Sequence, residues 1–98
     1  MLLFEWDPNK AKENIEIHGV SFDEASTAFR DTLSLAIYDP LHSEEEDRFV
    51  LIGNSHKDRL LVVVHTERGD NIRLISAKKA SKKERKQYEE NAKRSGHA

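Results

Sequence analysis

The sequence predicts an α+β fold: one antiparallel sheet packed with two N-terminal helices and a C-terminal basic helix. Three observations carry that reading. Two helix-start signals, Asp7-Pro8 and Ser21-Phe-Asp-Glu24, come early in the chain. After Asp31 the apolar period falls from about 3.6 to 2. Beyond the last apolar strand the chain becomes densely cationic. Its 98 residues suit a single domain, residues 1–98, with one modest core.

The elements follow in order. Leu2 to Trp6 reads as a short first strand. Asp7 supplies an N-cap and Pro8 the preferred first helical residue, and Gly19 stands where a left-handed residue would close that helix. Ser21 and Glu24 form a capping-box pattern, with Val20 available to staple onto Ala25, so a second helix starts here. Phe22, Ala25 and Phe29 give it an apolar face toward the sheet. Leu33, Leu35 and Ile37 then alternate with Ser34, Ala36 and Tyr38 as a strand. Asp39 to Asp47 is an acidic, turn-rich loop around Pro40. Arg48 to Ser55 and Arg59 to Glu67 read as two strands joined by His56-Lys57-Asp58, and Arg68-Gly-Asp-Asn71 turns the chain into a last strand, Ile72 to Ser76. The unbroken Leu60-Leu-Val-Val-Val64 is expected at the centre of the sheet, covered on both faces. A final helix is expected from Ala77 to about Ala92, with residues 95–98 frayed.

Composition excludes several classes of chemistry. Without cysteine there is no disulfide frame, thiolate nucleophile or Cys-based zinc site. His18, His42, His56, His65 and His97 show no ligand spacing, so neither a metal nor any other cofactor is expected. The acidic run Glu44 to Asp47 resembles a divalent-ion attractor, but such runs are commonly just solvated. The longest apolar run is far short of a membrane span, and the N-terminus meets acids too early for a signal peptide; no membrane association is expected, and the reading is cytoplasmic.

Charge is the informative property. The net charge is −2, yet eight of the 16 Lys and Arg residues lie between Lys78 and Arg94, against Glu84, Glu89 and Glu90 of the 18 acids. A local cationic face attracts a polyanion even when the total charge repels it. On a helix beginning at Ala77, residues Lys78, Lys82 and Arg85 would share one face, with Arg85 able to fork onto a phosphate. The same pattern also suits a solvated helix whose cations merely complement its C-terminal half. Glu84 would fall between Ala80 and Tyr88 on the packed face and need Arg73, Arg48 or Arg85 as partner, serving as a structural ion pair or as a base. Tyr88 fits a core edge with a hydroxyl near the surface. His18, at a helix C-terminus, and His65, late in the central strand, read first as structural residues.

The pattern Phe4-Glu-Trp-Asp7, Lys12, Asn14, His18-Gly19, Phe22, Glu24-Ala25, Phe29, Glu46-x-Arg48, Ile52-Gly53, Val62-Val63, Thr66-x-Arg68, Arg73-x-Ile-Ser-Ala77, Ala80 and Glu84-Arg-x-x-Tyr88 resembles the BrnT family of type II toxins. The likeness spans Phe4 to Tyr88. One departure is Lys78, where the family commonly has Arg; Lys keeps the charge and loses the bidentate fork. The resemblance implies a RelE-like α+β endoribonuclease, neutralised by a BrnA-like ribbon-helix-helix antitoxin in a heterotetramer that binds operator DNA only through the antitoxin. It implies RNA as substrate. For that chemistry Arg73, Lys78 and Arg85 can supply charge stabilisation and His18, His65, Glu84 or Tyr88 proton transfer, with RNA contacts expected at Lys12, Arg48 and Lys82. RNA carries its own nucleophile, the 2′-hydroxyl, so cations that stabilise extra phosphate charge suffice in place of a metal. Two readings stand beside this one: a catalytically silent module using the same cationic face for RNA, DNA or an acidic protein, and a structural subunit whose sheet edge or groove accepts another chain.

Overall fold

The computed structural model describes residues 3–40 and 46–95. Strand β1 (Leu3–Glu5) leads into α1 (Pro8–His18) and α2 (Phe22–Thr27), followed by a single 3₁₀ turn, Ala28–Arg30. Then come β2 (Leu35–Asp39), β3 (Arg48–Asn54), β4 (Leu60–Arg68), β5 (Asn71–Lys79) and α3 (Lys82–Ser95). The five strands form one sheet in the order β1-β5-β4-β3-β2. The fold class is α+β, but the sheet is mixed rather than antiparallel, because β1 pairs parallel with β5. The chain leaves β1 into the helical layer and re-enters the sheet at its far edge as β2. Strand β1 is thus left beside the last strand, in a direction that side-chain alternation cannot specify.

Local chemistry sets the ends of the elements. Asp7 caps α1 by accepting from the Asn9 N–H at 2.8 Å, and Gly19, at φ 69°, closes it in the left-handed region. Ser21 caps α2 by accepting from the Glu24 N–H at 3.0 Å. β2 starts two residues later than expected, because Asp31 folds Thr32 and Leu33 into a turn. Its carboxylate accepts from Leu33 N and its carbonyl from Ser34 N.

The largest correction concerns α3. It begins at Lys82, while β5 runs on through Ala77 and Lys78 to Lys79. A complete capping box explains this: Ser81 Oγ accepts from Glu84 N at 3.2 Å, and Glu84 Oε1 accepts from Ser81 N at 2.9 Å. Ser-Lys-Lys-Glu thus marks the helix start, and Ala80 N donates to Leu60 O at 2.9 Å as the strand ends. Ser95 is the last residue of α3; residues 96–98 and 41–45, with part of the expected acidic loop, lie outside the described residues.

The centre of the sheet is β4, as expected, and its alternate residues build two cores. Leu61 and Val63 join Val20, Phe22, Ala25, Ala28 and Leu74 beneath α1 and α2. Leu60 and Val62 join Ile52 and Tyr88 beneath α3. The N-terminal helices and α3 therefore lie on opposite faces. Asn14, 5% exposed, docks α1 onto β5: its Nδ2 donates to Val20 O and Ala77 O, both at 2.8 Å, and its Oδ1 accepts from Ala77 N at 3.0 Å. Gly53 permits the 3₁₀ turn to lie close on β3, since a Cβ there would sit 2.8 Å from Ala28 O.

Candidate functional site

On the α3 side of the sheet, the strand register lines up Asp39, Arg48, Thr66, Arg73 and Glu5 across all five strands. Directly opposed residues in neighbouring strands point the same way, with Cβ atoms about 5 Å apart. Arg48 and Arg73 thus flank Thr66 with backbones about 10 Å apart, two strand spacings. Arg73 Nη1 lies 3.9 Å from Glu5 Oε2 at the β1 edge. Thr66 is 1% exposed, and its Oγ1 has no hydrogen-bond partner among the described residues. A buried hydroxyl without a partner costs about 1–3 kcal/mol, so it is a site where an acceptor would be welcome.

Lys78 belongs to the same face, opposite Val62, and its Nζ lies 3.8 Å from Glu84 Oε2. Glu84 is therefore a capping carboxylate whose partner is Lys78, not Arg73, Arg48 or Arg85. Burial tends to raise its pKa, but the Ser81 N–H and hydroxyl and the Lys78 charge outweigh this and hold it below the usual carboxylate range. Lys82 and Arg85 are exposed on α3. Because Lys78 is on a strand, the expected helical face of Lys78, Lys82 and Arg85 does not exist. The three cations come from β5 and from the helix that follows it.

The Tyr88 hydroxyl is occupied: it donates to Asp31 Oδ2 at 2.6 Å and accepts from Asn54 Nδ2 at 3.4 Å. Burial and the Asp31 carboxylate push its pKa up to about 12, so it holds its proton and ties α3 to the turn before β2. Asp31 is lowered on balance: burial opposes its ionisation, but the N–H groups of Asn54 and Leu33 and the Tyr88 hydroxyl favour the carboxylate. His65 is buried between Phe29 and Phe49, with ring centroids at 4.8 and 5.8 Å, and burial pushes its pKa down despite the Val63 carbonyl and Glu67. It is a core histidine, as first read. Lys12 and His18 are exposed on α1, across the sheet from Arg48, Arg73 and Lys78. The structure thus gathers Arg48, Arg73, Lys78, Lys82, Glu84, Arg85 and Tyr88 on one side and leaves Lys12 and His18 on the other.

Sequence reading missed two polar clusters. Glu24, expected to complete a capping box, instead turns inward: its Oε2 accepts from Arg59 Nε at 2.8 Å and Ser55 Oγ at 2.7 Å, and its Oε1 accepts from Arg59 Nη2. Arg59 hydrogen bonding, only partly opposed by burial, draws the Glu24 pKa down to about 2. The other cluster is the arginine row itself. Its signal lay in the register, which a strand sequence does not reveal without its partners. No group of three or more His, Cys, Asp or Glu suited to a metal occurs among the described residues, and none of their helices is long and apolar enough to cross a membrane.

The family model described as the ribonuclease toxin BrnT of type II toxin–antitoxin systems matches residues 6–84. The crystal structure of the Brucella abortus ribonuclease toxin BrnT is similar, with a TM-score of 0.59 and 24% sequence identity over 84% of this chain and 99% of that one. At that identity the likeness concerns the fold. No curated protein matches the sequence.

Proposed function

Because the chain belongs to the family of BrnT ribonuclease toxins of type II toxin–antitoxin systems, we propose that it cuts RNA without a metal, by attack of the substrate's own 2′-hydroxyl, and that a BrnA-like antitoxin silences it. The observation that carries this reading is the arginine row on the α3 side of the sheet. Helix α3 packs over Ile52, Leu60 and Val62, while Arg48, Val50, Val64 and Arg73 stay partly open to solvent. A phosphate laid over this row would meet a guanidinium on each side. Such a cradle holds a phosphate of the RNA strand by charge-assisted contacts and so positions the strand for cleavage. Lys78, Lys82 and Arg85 extend the positive field along β5 and α3. Lys12 and His18, on the far face, fall outside this reading of the site.

Arg73→Ala and Arg85→Ala should each remove most RNA cleavage, whereas Lys93→Ala, near the end of α3, should change little. Stably folded Arg73→Ala and Arg85→Ala variants with full activity would show the site to be misplaced. A specific observation favours a catalytically silent RNA-binding module as the second reading: Tyr88 and Glu84 are committed to structural hydrogen bonds and His65 is buried. Under that reading the same variants lose RNA binding, and the unaltered chain cleaves nothing.

The proposed setting is cytoplasmic. The antitoxin is a ribbon-helix-helix protein, its dimer carrying two copies of this chain in a heterotetramer that reaches operator DNA through the antitoxin alone. Covering the cationic face suits a partner that contributes acids or blocks the groove beside α3. Light scattering of the purified pair should give the heterotetramer mass, and promoter binding by this chain alone would contradict the arrangement.

A further inference from the structure

The expected proton carriers are occupied or remote, yet the structure contains an imidazole in an open setting. Thr27, Arg30, Asp31, Asn54, Ser55 and His56 line a cleft of ≈ 310 Å³ where the 3₁₀ turn meets the β3–β4 turn. It adjoins α3, because Asp31 and Asn54 both bond the Tyr88 hydroxyl. Arg48 and Asn54 bound the same strand, so the cleft lies about 20 Å along β3 from the arginine row.

The hydrogen bonds fix the tautomer of His56. The Thr27 hydroxyl has one proton, which it donates to Glu24 O at 2.6 Å. The same oxygen accepts from His56 N at 2.9 Å and lies 3.2 Å from His56 Nδ1. With its proton already directed at a carbonyl, Thr27 Oγ1 can only accept from the ring, so Nδ1 carries the hydrogen and Nε2 keeps its lone pair. His56 is exposed, and Nε2 has no partner among the described residues. Arg30, in the same cleft, is exposed and makes no hydrogen bond or ion pair with them. Asp31 already accepts from Leu33 N, Asn54 N and the Tyr88 hydroxyl, which leaves it little capacity to compete as a base. The charged side chains lining the cleft with His56 are Arg30 and Asp31, and Lys57 and Asp58 follow His56 in its own turn.

We propose that His56 is the catalytic base of RNA cleavage, with the scissile nucleotide in this cleft and its phosphate on Arg30; this rests on the ribonuclease reading above. His56 Nε2 takes the proton of the 2′-hydroxyl as that oxygen bonds to phosphorus. The bond from phosphorus to the 5′-oxygen breaks, its electron pair leaves on that oxygen, and the oxygen takes a proton from water. The products are a 2′,3′-cyclic phosphate and a 5′-hydroxyl. The cations of α3 and the arginine row then hold the rest of the strand, and their role is binding.

The test is single-turnover cleavage of RNA by the full chain across a range of pH, beside RNA affinity and melting temperature. Glutamine keeps a polar side chain and the backbone N–H bond to Thr27 but cannot take a proton, so His56→Gln should slow cleavage roughly 10²–10⁴-fold and abolish the acid limb of the pH profile, with affinity and melting temperature preserved. Arg30→Gln, at a side chain with no partner to disrupt, should slow cleavage in the same way without affecting the fold, and it decides the matter if His56→Gln is unstable. Wild-type rates in either folded variant, or an acid limb that persists without His56, overturn the proposal while leaving the ribonuclease reading intact. An unaltered chain that cleaves no RNA overturns both.

Discussion

Glu24 shows how much one side chain holds in this protein. It is buried, yet charged, because Arg59 and Ser55 reach it from the β3–β4 turn while its own backbone sits on Ser21. It therefore ties α2 to the far end of the sheet. Its pKa in the folded chain, about 2, lies below the ordinary value of 4.5, so its contribution is fully present above the unfolded value and fades as pH falls toward 2. Glu24→Gln should cost about 3 kcal/mol at neutral pH by leaving Arg59 without its anion. Urea titrations should show that gap between wild type and variant narrowing steadily from pH 5 to pH 2; a gap independent of pH would mean that the charge contributes nothing. Family resemblance had pointed to Glu24, Asn14 and Ala77 without giving their roles. Asn14 and Ala77 turn out to bond each other across 63 residues, a pairing that no local pattern encodes.

Among the elements, those with local signals were legible. Asp7-Pro8, Gly19 and Ser21 mark the N-terminal helices because caps act within one turn, and Leu60 to Val64 marks the central strand because burial on both faces requires an unbroken apolar run. The start of α3 was also written locally, as Ser81-Lys-Lys-Glu84, but the cationic run after Ala77 suggested an earlier beginning. That displacement moved Lys78 from a helix to a strand and turned Glu84 from a packed ion-pair partner into a cap. Ser81→Ala should lower stability by about 1 kcal/mol through the lost cap. Glu84→Gln should lower stability and reduce activity only in proportion to unfolding. Thermal melts beside cleavage rates check both; a Glu84→Gln protein that melts normally and no longer turns over would instead make Glu84 a proton carrier.

At the scale of the whole molecule, α+β was legible from the order of periods, whereas the parallel β1–β5 pair and the two-sided helix arrangement were not. Both depend on where the chain goes after α2, and the sequence marks the strands without ranking their neighbours. The charge asymmetry was legible too, but only the folded register sets Arg48 and Arg73 either side of Thr66. In the account that results, sheet and α3 together hold an RNA strand by its phosphates and the RNA supplies the nucleophile. The most direct measurement is incubation of the purified chain with RNA in excess chelator, with the new ends identified. Cleavage should persist and leave 2′,3′-cyclic phosphates; cleavage lost in chelator and restored by added Mg²⁺ or Mn²⁺ would contradict the account.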